Sequence, residues 1–168
     1  MKKIFIINGA AGVGKDTFVE IAKYKIFIKT GLPVYNISSV DNVKIAAKIL
    51  GWDGEKNEWG REFLSILKDI SSKYYKGPYR YIKEQIDSKQ EGIIFLHIRE
   101  SNEIEYICKN YKENELKTIL IKRDNIQKFN NHADKNVDNY NYDIVILNKG
   151  SIEDLVSIVE EFVEKEIL

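Results

Sequence analysis

The chain of 168 residues is short of most things that would send it outside a reducing, aqueous compartment. It has one cysteine, Cys108, so no internal disulfide framework can form. It has two prolines and ten glycines, which excludes collagen-like and Pro/Gly-rich low-complexity architectures. No apolar run approaches the length of a membrane span, and the N-terminus reads as a strand and a glycine loop rather than a leader. The expectation is a cytoplasmic protein with no membrane partner. Net charge is absent too: 26 basic residues balance 26 acidic ones, and a generic nucleic-acid binder would be more basic. Only two histidines are present, and none stands with another ligand at zinc spacing. What remains, 43% hydrophobic residues in 168, is enough for one domain with a real core.

The pattern along the chain alternates. Lys2–Asn8 is an almost unbroken apolar run, as expected of a strand covered on both faces. From Lys15 to about Lys29 the apolar spacing turns helical. Val34–Val40 reads as a strand, and Asp41 opens a helix to about Leu50. A turn-rich connector, Gly51–Gly60, leads to helices over Arg61–Tyr75 and Tyr79–Lys89. Gly92–Ile98 is a second buried strand, followed by a helix over Glu100–Lys112 and a strand over Leu116–Lys122. The polar, weakly periodic stretch 123–142 is too long for an ordinary connection, and a segment of that length is either a functional lid or disordered. Asp143–Leu147 is a last strand. Ser151–Leu168 is a helix with a Ser-x-x-Asp start. Alternation of this kind predicts a parallel sheet in an α/β sandwich, as one domain over 1–168.

One motif carries chemistry. Gly9-Ala10-Ala11-Gly12-Val13-Gly14-Lys15 joins the first strand to the first helix. Glycines let backbone N–H groups approach phosphate oxygens, and the helix presents its positive end to the same charge. Lys15 would reach the β- and γ-phosphates of a nucleoside triphosphate. The bland reading of the same residues is a glycine turn with a surface lysine. The residue after Lys15 is Asp16, where Ser or Thr is usual, and Thr17 comes one later. Thr17 can still reach a phosphate oxygen. Asp16 either holds Mg²⁺ through water or stabilises the first helical turn as an N-terminal acid.

Only four of the basic residues are arginines, and arginine grips phosphate bidentately. Arg99 and Arg123 follow the carboxyl ends of two strands, where ligands of open parallel sheets bind. Arg61 begins a helix and could clamp an acceptor phosphate. Arg80 is less well placed. A surface ion pair is the bland role for each. His97 reads as a core or site-lining imidazole and His132 as a solvated one. Trp52 and Trp59 flank the connector, either packing in the core or stacking a base.

Taken together, these residues resemble the P-loop nucleoside and deoxynucleoside monophosphate kinases, and most nearly the phage-type deoxynucleoside monophosphate kinases and the related phosphomevalonate kinases. The likeness rests on Gly14-Lys15-Asp16-Thr17, with "SSVDNVKIAAKILGWDGEK" (38–56), "REFLSILKD" (61–69), "HIRE" (97–100) and "DIVILNKGSIEDL" (143–155). In "HIRE", His97 stands where that family has Asp. The resemblance implies a three-layer P-loop sandwich of nucleotide-kinase type, five parallel strands in the order 2-3-1-4-5, with an acceptor-binding helical part at about 41–90. It implies ATP and Mg²⁺, with Lys15, Asp16, Arg99 and Arg123 catalytic. Gly9, Ala10, Ala11, Gly12, Val13, Gly14, Lys15, Asp16, Thr17 and Asn148 would bind the nucleotide, with Asn148 and Gly150 forming a turn near the adenine. Lys44, Arg61 and Arg99 would bind the acceptor, and Asp16, through water, and Thr17 would hold the metal. The implied activity is transfer of the ATP γ-phosphate to a (deoxy)nucleoside monophosphate. A kinase for another small acceptor, or a non-catalytic nucleotide-binding protein, stays open beside it.

Overall fold

The computed structural model describes residues 1–55, 57–111, 115–123, 137 and 140–168. Of the segment expected to form a lid, most lies outside the described residues, and so do His132, Lys128 and Lys135. Two compact units emerge: residues 1–36 with 90–168, and residues 37–89.

The five strands are β1 (Lys2–Asn8), β2 (Val34–Ser38), β3 (Gly92–His97), β4 (Glu115–Arg123) and β5 (Ile144–Asn148). They form one parallel sheet in the order β2-β3-β1-β4-β5, as the resemblance implied. Helices stand between β1 and β2, between β2 and β3, and between β3 and β4, the crossover connections that parallel pairing needs. The described helices are α1 (Lys15–Thr30), α2 (Asp41–Ile49), α3 (Glu58–Tyr75), α4 (Gly77–Asp87), α5 (Ser101–Asn110) and α6 (Ile152–Glu166). None is long and apolar enough to cross a membrane.

In the first unit, alternate residues of β1 and β3 serve opposite faces, and both faces are buried. Phe5, Ile7 and Phe95 join Phe18, Val19 and Ala22 of α1 and Leu155, Val159 and Phe162 of α6 in one core cluster. Four phenylalanine rings meet there, with Phe162 edge-on to Phe5 at 5.1 Å and to Phe18 at 5.3 Å between centroids. Burying one such side chain contributes about 1.5–3 kcal/mol, so this cluster anchors the helix that follows the glycine loop. At the opposite face, Ile4, Ile6, Ile94 and Leu96 are equally buried. On their outer sides α1 and α6 are joined by the Lys25–Glu160 and Lys29–Glu164 ion pairs.

Several boundaries move by a few residues, each for a local reason. β4 extends to Arg123, which pairs with Asn148 of β5. Asp143 precedes β5 instead of opening it. Its Oδ2 accepts from the Thr118 N–H at 2.7 Å and from the Thr118 hydroxyl at 2.7 Å, which pins the strand's entry to β4. Ser151 caps α6, accepting from the Asp154 N–H at 3.0 Å, as the Ser-x-x-Asp start anticipates.

In the second unit, α3 begins at Glu58, ahead of the expected Arg61. Asn57 is its cap, accepting from the Gly60 N–H at 2.9 Å. Gly60 thereby enters the helix instead of closing the connector. A Cβ there would stand 2.2 Å from the Glu55 carbonyl oxygen, so only glycine fits. α4 starts at Gly77, with Pro78 in its first turn, where a missing N–H costs nothing.

Candidate functional site

The site is built on the carboxyl edge of the sheet. Register sets the ends of β1 and β3 beside each other, Ile7 pairing with His97, while Asn8 pairs with Leu120 and β4 runs on three residues to Arg123, level with Asn148 of β5. β1 stops at Asn8 because the chain turns at Gly9, whose φ of +143° is closed to other residues. The loop runs through Gly12 and Gly14, both also at positive φ, into α1. Nothing lies within 4 Å of where a Gly12 Cβ would be. The backbone here is open on one side, as a phosphate cradle requires.

Lys15 opens α1 and folds back over the loop. Its ammonium donates to the Gly9 carbonyl at 2.6 Å and the Ala10 carbonyl at 2.7 Å. That holds the cation at the loop's mouth, next to the helix N-terminus. Asp16 projects outward, its side chain 88% exposed, in the first turn of α1. Its Oδ1 stands 4.0 Å from Nδ1 of His97, whose side chain is only 14% exposed. His97 therefore lines the site at the end of β3 rather than facing solvent. Thr17 is exposed one residue on. Among the described residues there is no cluster of three or more His, Cys, Asp or Glu able to hold a metal. The exposed Asp16 carboxylate and Thr17 hydroxyl beside the loop would fit Mg²⁺ held mainly by substrate oxygens and water, and not a protein cage.

Arg99 and Arg123 belong to the same edge. The Arg99 carbonyl accepts from Asn8 Nδ2 at 3.2 Å, and the Arg123 guanidinium donates to the Gly150 carbonyl at 3.3 Å. Asn148 ends β5, and its Nδ2 donates to the Val13 carbonyl at 2.8 Å. The loop, Lys15, Arg99, Arg123 and Asn148 are thus brought together within one unit.

Lys44 and Arg61 lie in the other unit. Lys44 pairs there with Asp41 at 2.9 Å, and Asp41 also accepts from the Ser38 N–H at 2.8 Å. Arg61 sits in the first turn of α3. Core packing fails as a role for Trp59, which lies in the first turn of α3 and is 78% exposed. Trp52 is half-buried, its indole N–H donating to the Glu55 carbonyl at 2.9 Å. Both indoles line an open depression of about 290 Å³ with Leu50, Asp53, Asn57 and Phe63 among its walls.

Sequence reasoning passed over Asn8 and Tyr142. Asn8 is 1% exposed and bonds the Tyr142 hydroxyl at 2.8 Å. The signal for Asn8 was there to read: a polar amide closing an otherwise apolar buried strand must find partners. Tyr142 had no such signal.

Comparison with known proteins bears on the fold. No family model matches the chain, and no curated protein does. Among solved structures, the chain is similar to an APS kinase of Mycobacterium tuberculosis, a cysteine-to-alanine mutant, at 15% identity and a TM-score of 0.53, covering 98% of each chain. The same kinase in complex with AMPPNP and APS matches at 12% identity and a TM-score of 0.53, again over 98% of each chain. A thymidylate kinase from Ehrlichia chaffeensis matches at 14% identity and a TM-score of 0.48, covering 96% of this chain and 98% of that one. The fold is that of P-loop kinases.

Proposed function

We propose that the protein is an ATP-dependent phosphotransferase whose acceptor is a (deoxy)nucleoside monophosphate. The observation that carries the reading is the Gly9–Gly14 loop with Lys15 at its mouth, at the strand-to-helix junction of a P-loop-kinase fold. The chemistry is positioning and charge neutralisation. Loop amides and Lys15 hold the β- and γ-phosphates. An oxygen of the acceptor phosphate attacks the γ-phosphorus as its bond to the β–γ bridging oxygen breaks, leaving ADP. Arg99 and Arg123 offset charge gathering on the transferred group. Arg61 and Lys44 hold the acceptor from the helical unit at about 41–90. Mg²⁺, when bound, neutralises the β,γ-oxygens. Asp16 and Thr17 are the residues that fit it.

A second reading keeps the donor site and changes the acceptor. His97 beside Asp16 favours a different alternative, nucleotide binding without transfer, because a ring stands where the resembled kinases have a carboxylate. The solved neighbour with APS bound makes adenylyl sulfate a natural member of an acceptor panel.

The test is ADP release from Mg·ATP against ribo- and deoxyribonucleoside monophosphates and adenylyl sulfate, with a no-acceptor background. One or a few monophosphates should raise the rate sharply. The Lys15→Ala variant should bind ATP at least about tenfold more weakly than the parent, the scale of one charge-assisted bond. Intact ATP binding with no monophosphate-dependent rate overturns the acceptor assignment. Unchanged ATP affinity in Lys15→Ala overturns the phosphate-loop assignment itself.

A further inference from the structure

Two buried asparagines bracket the glycine loop. Asn8 is 1% exposed and stands immediately before the loop; Asn148 is 6% exposed and comes from the far edge of the sheet. Each uses both ends of its amide. Asn8 Oδ1 accepts from the Gly9 N–H at 2.8 Å, while its Nδ2 donates to the Arg99 carbonyl and the Tyr142 hydroxyl. Asn148 Nδ2 donates to the Val13 carbonyl, while its Oδ1 accepts from the Gly150 N–H at 3.0 Å. Gly150 in turn receives the Arg123 guanidinium on its carbonyl. Two paths of hydrogen bonds therefore run, one from the Arg99 turn through Asn8 to the first glycine, the other from Val13 through Asn148 and Gly150 to Arg123.

We propose that Asn8 and Asn148 are positioning residues that fix both ends of the phosphate loop and set Arg99 and Arg123 in register with it. The chemistry favours this over packing alone. A buried amide needs several partners, and apolar residues would fill either place without that cost. The fit is close: a Cβ on Gly14 would lie 2.6 Å from Asn148 Nδ2, so the loop and this amide are shaped to each other. No other described hydrogen bond ties the far end of the loop to β5. A loop that must present several N–H groups to one anion gains from being held before the ligand arrives. The inference rests on the loop being a triphosphate site.

The experiment uses the full chain with Asn148→Leu and Asn8→Leu, which keep the branched side-chain skeleton and add no charge, and Tyr142→Phe, which removes one partner of Asn8. Melting temperature, Mg·ATP affinity by calorimetry at a temperature where each variant is folded, and hydrogen exchange of the Gly9, Gly12 and Gly14 amides are read together. In both leucine variants ATP affinity should fall about tenfold or more, with faster exchange of the loop amides, the scale of one lost buried hydrogen bond and its ordering. If a leucine variant does not fold, the Asn→Ala change at the same position takes its place, since it removes the amide without adding bulk or charge. Tyr142→Phe should leave ATP affinity within about threefold but speed Gly9 exchange, because Asn8 keeps its other bonds. Folded variants with parental affinity and parental loop exchange overturn the proposal. A parent that does not bind ATP overturns the triphosphate reading instead, while the exchange measurement still decides whether the asparagines hold the loop.

Discussion

Placing alanine at Gly9 and at Gly12 separates the folding role of the loop from its binding role. Both glycines have positive φ, +143° and +80°. A Cβ on Gly9 would lie 2.4 Å from the backbone carbonyl oxygen of Ile121, on the neighbouring strand β4. Neither partner can yield, since one is the end of β1 and the other lies within the sheet. Backbone strain at such a φ costs about 1–3 kcal/mol and the clash another 1–3, so Gly9→Ala should lose about 4 kcal/mol. At Gly12 the space is empty, and strain alone costs about 1–2 kcal/mol. For a chain of this size each kcal/mol moves the melting temperature by about 2–4 °C. Calorimetry should therefore find Gly12→Ala about 5 °C below the parent and Gly9→Ala more than about 10 °C below it. ATP binding should show a different pattern. Gly12→Ala, although well folded, adds a methyl group where phosphate must approach and should bind ATP poorly. Equal destabilisation at the two positions would refute the steric account of β1's end. Normal ATP binding by Gly12→Ala would refute the cradle.

Other outcomes follow from named contacts. Phe162→Ala, which removes a ring edge-on to Phe5 and Phe18, should cost about 3–5 kcal/mol in urea unfolding; a loss under 1 would mean the cluster relaxes around the hole. Burial, and after it the bond to the Cys108 thiol, pushes the Tyr140 hydroxyl well above the ordinary tyrosine value, and burial also raises Cys108 and Tyr81. The folded state holds these protons after the unfolded chain has released them, so stability present below about pH 10 should be lost as pH rises through the folded values. The urea midpoint should fall above about pH 10, and less steeply in Tyr140→Phe; an identical slope would remove Tyr140 from the account. If Trp59 stacks the acceptor base, monophosphate should quench tryptophan emission, and Trp59→Ala should raise the acceptor KM while leaving ATP affinity unchanged. An unmoved KM would return Trp59 to a plain surface role.

What the sequence determined by itself was whatever depends on neighbours in the chain. The apolar runs at Lys2–Asn8 and Gly92–Ile98 read as strands buried on both faces, and strands alternating with helical spans read as a parallel sheet. The glycine spacing ending in Lys15 announced the loop, and Ser151 with Asp154 announced the start of the last helix. Shifts of a few residues arose where a cap competes with periodicity, as when Asn57 draws Gly60 into α3.

Only the tertiary structure decided which distant side chains meet. Asn148 lies 135 positions from Val13, and no local rule links them; the bond exists because the sheet order sets β4 between β1 and β5 and brings the end of β5 round to the loop. His97 comes within 4.0 Å of Asp16 through the β1–β3 register, which no spacing along the chain encodes. Trp59 and Trp52 look alike in sequence, yet one is exposed and the other bonded beneath a turn, because burial depends on what packs above a residue and not on its type. Short-range chemistry chose the elements, while side-chain partners across the sheet came from its order and register, which are fixed only when the core closes.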